Sequence, residues 1–95
     1  EATQAASFAY AYKLAERNPL IKGFIVHRAV DNLYELNADK IACGLFNCDA
    51  NGLATTPKMI YDVYKYIDTP ESAAHTQALL PVIGASSWQA LGVNP

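Results

Sequence analysis

Three residues within five positions carry most of the chemistry this sequence offers. His27, Arg28 and Asp31 follow directly on the apolar run Phe24-Ile25-Val26. A neutral imidazole can donate one hydrogen bond and accept another, a guanidinium pairs best with a carboxylate, and an ionised carboxylate only accepts. In an extended chain His27 and Asp31 share parity with Ile25 and Ala29, whereas Phe24, Val26, Arg28 and Val30 share the other. Each also has a purely structural reading: a satisfied histidine, a salt bridge and a loop or cap residue. Asn47 and Asp49 close a second apolar run and read better as turn formers than as ligands. No Ser/His/Asp pattern, glycine-rich phosphate loop or HExxH stands out. The 9 acidic residues include no pair placed at two strand ends, which hydrolysis by two carboxylates would need. Cys43 and Cys48 lie five apart in a strand-like segment, too far along a chain rising about 3.3 Å per residue for a disulfide. Further ligands do not appear at metal-binding spacing, so two small buried thiols, no metal and no cofactor are expected.

The elements that must position these groups follow from periodicity. Over residues 3–17, Ala5, Phe8, Tyr12 and Ala15 form one helical stripe, widened by Ala9, and Asn18-Pro19 ends it. Residues 20–30 predict a strand whose unbroken apolar run marks cover on both faces, as in a parallel sheet. Residues 31–40 predict a long polar loop and 41–47 a second strand, closed by turn chemistry at Asp49–Gly52. Thr56 as cap and Pro57 at the first position predict a helix over 57–67, with Ile60, Tyr64 and Ile67 buried and Tyr61 and Val63 flanking. Thr69-Pro70 starts another helix over 70–80, and a tail over 81–95 holds a turn capped by Ser86 and ended by Gly92. The tyrosines fall at core spacing, Trp88 anchors the tail, and His75 reads as a solvated helix residue.

The order helix, strand, long loop, strand, helix, helix is that of an α/β protein. Two strands do not make a stable sheet alone, so these need neighbours. Composition is ordinary for a folded chain, with 52% hydrophobic and 17% charged residues in 95. A chain that short buries only about 60–65% of its unfolded surface. The net charge of −2 gives no basic footprint for nucleic acid, and no apolar run approaches the roughly 20 residues of a membrane span. A helical pattern under way within a few residues of Glu1 leads us to expect a fragment of a longer protein.

Several segments are familiar in combination. Residues 4–12, Phe24-Ile25-Val26-His27-Arg28 with Asp31, Gly44-Leu45-Phe46-Asn47, Asn51-Gly52, Pro57-Lys58, residues 61–68, Ile83-Gly84 and Ser87-Trp88 resemble the C-terminal part of the DUF5722 family, bacterial glycoside-hydrolase-like barrels. No single motif is specific, but their order and spacing cover nearly the whole chain. The resemblance implies the last quarter of a (β/α)8 barrel of the TIM type. Residues 3–17 would be its seventh helix, 23–30 its eighth strand and 57–67 its closing helix. The catalytic carboxylates of such barrels usually end the fourth and seventh strands, both upstream of Glu1, so this segment would hold neither. It would contribute substrate-binding residues at the strand end: His27 and Asp31 toward a carbohydrate ligand and Arg28 toward a carboxylate at the rim. The resemblance further implies an extracytoplasmic or secreted bacterial setting and, as partner, the preceding part of the barrel. The competing expectation is a small non-enzymatic interaction module that completes its sheet by self-association.

Overall fold

The computed structural model describes all 95 residues. Helix α1 (Ala2–Arg17) is alanine-rich, and its inner face presents Ala5 and Ala9 of the expected stripe together with Ala6 and Lys13, whereas Phe8, Tyr12 and Ala15 are only half-buried. Small residues let α1 lie close against α2 (Met59–Tyr66), its main packing partner, through Ile60 and Val63. Phe8 and Tyr12 sit at the flank of that face, half-buried. Asn18 ends α1 in an extended conformation, and its Oδ1 accepts the Leu20 N–H at 2.9 Å.

The sheet differs from expectation. Strands β1 (Phe46–Cys48) and β2 (Ala54–Pro57) form an antiparallel hairpin, with Phe46 opposite Pro57 and Cys48 opposite Ala54. Asp49 builds its turn, Oδ1 accepting the N–H groups of Asn51 and Leu53, while Gly52 takes φ 80°, which favours glycine. The strand expected over 41–47 is thus shortened to three residues. The segment over 20–30 is extended but no strand: its one parallel link is a bridge between Val30 and Phe46. None of the 50 backbone–backbone hydrogen bonds involves residues 22–27, because the chain supplies no neighbour on either edge. The expected loop over 31–40 contains a turn of π-helix, Glu35–Asp39, closed by Lys40 at φ 57°.

Thr56 and Pro57 belong to β2, so α2 begins two residues later than expected with Lys58 as its cap residue. The Met59 N–H is satisfied across the fold instead, by Glu1 Oε1 at 3.2 Å. Ile60 is buried as expected and Ile67 half-buried, but Val63 and Tyr64 exchange places, Val63 buried and Tyr64 exposed. The helix over 70–80 is broken into α3 (Ser72–Thr76), a 3-10 turn (Gln77–Leu79) and α4 (Leu80–Ile83). Pro81 sits in the first turn of α4, where its missing N–H costs no bond, and Gly84 at φ 85° ends that helix. His75 is half-buried rather than fully solvated. It stacks on Tyr66 at 3.7 Å between ring centres and meets Asp62 Oδ2 at 2.7 Å, joining α3 to α2. In the tail Ser87 rather than Ser86 holds the final turn, its Oγ accepting the Ala90 N–H.

The result is a mixed helical fold with four α-helices and a two-stranded antiparallel sheet. Its core joins α1, α2, Leu79, Leu80, Trp88 and Val93. Lys13 enters this core with its ammonium 5.0 Å from the centre of the Trp88 ring. Burial pushes its pKa below the ordinary 10.5, and Glu16 only partly opposes that. The unfolded chain therefore binds the proton more tightly, so this group makes stability rise with pH from its lowered folded value up to 10.5. Tyr12, raised above 10.0 by burial and by Asp68, acts oppositely above that pH. Lys13→Met should remove the rise while leaving the Tyr12 contribution. Denaturant midpoints of the two proteins across the alkaline range check this, and parallel curves would refute it.

Candidate functional site

Two polar clusters meet on the segment 42–44. The inner one is the ion pair between Lys58 and Asp31, Nζ to Oδ1 at 2.7 Å, with both side chains only 4% exposed. Asp31 Oδ1 also accepts the Gly44 N–H at 2.8 Å, and Lys58 Nζ donates to the Ala42 carbonyl at 3.0 Å. Gln4 Nε2 from α1 reaches the carbonyls of Ala42 and Gly44, each at 3.3 Å. Main-chain bonds complete the knot: Asp31 N–H to Phe46 O and Lys58 N–H to Leu45 O. Asp31 is therefore not the open loop group expected from the sequence. It is buried, and it ties the end of the extended segment to the start of α2.

Gly44 explains how closely these parts approach. A Cβ there would fall 2.6 Å from the Val30 carbonyl carbon and 2.8 Å from Asp31 Oδ1, and would strike the Asp31 amide nitrogen. Because the obstacle is backbone, relief needs a main-chain shift. Gly44→Ala should cost about 1–3 kcal/mol, the range for overpacking. Gly23→Ala, where nothing lies within 4 Å, serves as the control in urea unfolding. Equal midpoints for the two variants would show that the approach is not tight.

The outer cluster is half-exposed. Arg28 Nε meets Glu35 Oε1 at 2.9 Å, and His27 Nε2 lies 3.8 Å from Glu35 Oε2. Cys43 directs its thiol at Glu35 Oε1 from 3.9 Å, and Arg28 Nε lies 3.4 Å from His27 Nε2. The His27–Arg28 peptide is cis. Exposure alternates from Ile25 to Val30, with Ile25, His27 and Ala29 outward and Val26, Arg28 and Val30 half-buried. His27 and Arg28 thus come together, and Asp31 stands apart in the inner pair. Glu35 and Lys58 were missed as site residues: one lies in a polar stretch without periodicity, the other follows a proline at a strand–helix junction. The half-exposed Arg28–Glu35 pair is worth no more than about 1 kcal/mol to stability. Its value lies in placing charged groups at one rim. Cys43 and Cys48 are both free and half-buried.

The chain is thus a mixed helical and β fold that sets a buried ion pair beneath a polar rim. It belongs to the DUF5722 family, a family of unknown function, whose model matches residues 1–91. No curated protein and no solved structure matches the chain.

Proposed function

We propose that this chain is the closing segment of a glycoside-hydrolase-like (β/α)8 barrel. In this reading it supplies the rim residues His27 and Arg28 to a carbohydrate cleft but not the catalytic carboxylates. The observation that carries the reading is the segment 22–27. It is extended and apolar, its backbone is unpaired, and one side is covered by a helix: Phe24 packs edge-on to Phe8 and Tyr12 of α1 at 5.5 and 5.3 Å. Its other side is bare, with Ile25 93% exposed. A strand covered by a helix outside and by barrel residues inside has this character when seen without its neighbours. The shape agrees: a compact domain of 95 residues has a radius of gyration of about 12 Å, whereas this chain has 14.3 Å. His27 shares the bare side with Ile25 near the C-terminal end of the segment, where barrels of this type bind ligands.

The test compares the full barrel protein, upstream residues included, with its His27→Ala variant. Losing one hydrogen bond in a desolvated cleft should weaken binding of a soluble glycan by about 1–3 kcal/mol, roughly 5- to 150-fold, with unchanged unfolding. The 95-residue chain alone should not cleave an aryl glycoside and should self-associate in sedimentation through its bare strand. A chain that stays monomeric in sedimentation, or glycan binding indifferent to His27, would overturn the reading.

A further inference from the structure

We infer that His27, Glu35 and Cys43 form a site for one borderline-soft divalent cation of the zinc type. Their ligand atoms, one imidazole nitrogen, one carboxylate oxygen and one sulfur, all lie within 4.8 Å of one another. The closest approaches are 3.8 Å from His27 Nε2 to Glu35 Oε2 and 3.9 Å from Cys43 Sγ to Glu35 Oε1. In a tetrahedral site with bonds of roughly 2.0–2.3 Å, neighbouring ligand atoms stand about 3.3–3.8 Å apart. The two approaches use different oxygens of Glu35, so closing one oxygen, the imidazole and the thiol around an ion takes a contraction of up to about 1.5 Å, which side-chain rotation can supply. The residues come from positions 8 and 16 apart, a spacing that no linear metal motif displays.

The donor set selects the metal. Thiolate and imidazole favour zinc-like ions, whereas magnesium and calcium require oxygen ligands. Three protein ligands leave a fourth position for water, and the exposure of His27 keeps that position open to solvent. The supports are built in. Asn32 Oδ1 accepts the Glu35 N–H at 3.2 Å, and Cys43 sits between Ala42 and Gly44, whose backbone groups are bound by Lys58, Gln4 and Asp31. Arg28 occupies the place of the cation: its Nε lies 2.9 Å from Glu35 Oε1 and points toward the lone pair of His27 Nε2. Being partly exposed, it can withdraw into solvent when a metal arrives. Binding then forms bonds from the ion to Nε2, a carboxylate oxygen and Sγ, and the Cys43 proton passes to solvent. Affinity accordingly falls as pH falls.

The inference does not depend on the barrel reading, and its measurements contain no glycan, so either can fail alone. The experiment titrates the full chain with zinc against a chromophoric chelator, and with cobalt(II) followed by absorption. One equivalent should bind, cobalt should show a thiolate charge-transfer band, and magnesium should not compete. Cys43→Ser should abolish that band, and both Cys43→Ser and the exposed-site variant His27→Gln should weaken zinc by at least the roughly 10- to 100-fold that an outer-shell partner contributes. Cys48→Ser should change neither reading, and Arg28→Gln should tighten zinc binding by removing the competing charge. Three results would overturn the inference: no saturable zinc binding, a cobalt band that survives Cys43→Ser, or an affinity unchanged by His27→Gln.

Discussion

Lys58→Met should lower the stability of this fold by about 3–5 kcal/mol, the cost of stranding one member of a buried ion pair. With the ammonium gone, the Asp31 carboxylate stays 4% exposed and keeps only its bond to the Gly44 amide at Oδ1. The Ala42 carbonyl loses a donor at the same time. A domain of this size has only about 5–14 kcal/mol in hand, at 0.05–0.15 kcal/mol per residue. The loss corresponds to a fall in Tm of at least about 12 °C, at 4–8 °C per kcal/mol. The companion variant Asp31→Leu/Lys58→Met separates stability from specificity. Two apolar groups in place of a buried pair are often neutral or stabilising, so the double variant should recover most of the loss. Thermal and urea unfolding of the three proteins decide it. A single variant within 1 kcal/mol of the parent would mean that the pair opens to solvent more readily than its burial indicates.

Trp88→Ala should cost a similar amount, about 3–5 kcal/mol, for a different reason. The indole is 1% exposed and lies edge-on to Tyr10 at 6.3 Å while its face carries the Lys13 ammonium. Truncation leaves a cavity between α1 and the tail and removes the ring that stabilises a buried cation. Its Nε1 has no hydrogen-bond partner. Trp88→Phe therefore sacrifices no bond and leaves a smaller cavity, so it should cost clearly less than Trp88→Ala. Urea unfolding followed by circular dichroism compares the two. If phenylalanine is as damaging as alanine, the indole nitrogen has a role that packing does not account for.

What was legible in the sequence was local. Alanine spacing and the Asn18-Pro19 stop marked α1, and Asp49-Ala50-Asn51-Gly52 marked a turn, because caps, turns and helix faces depend on residues a few positions apart. The alternation of Phe24 and Val26 against Ile25 and His27 was also readable, since side-chain parity in extended chain needs no partner. Family membership followed from the order of such local signals.

Pairing was not legible, because hydrogen bonds between extended segments are set by what lies alongside. Residues 22–27 look like part of a strand and find no backbone partner within the chain, while Ala54–Pro57, containing a proline, became a strand because the Asp49 turn folds it back onto Phe46–Cys48. The candidate site shows the same division. The sequence alone determined that His27, Arg28 and Asp31 stand together along the chain, with ordinary composition and without a nucleophile motif. Only the tertiary structure sent Asp31 inward to Lys58, 27 residues away, and brought Glu35 and Cys43 to His27 and Arg28. The physical reason is that burial and charge pairing act over ångströms in space, which linear periodicity does not encode.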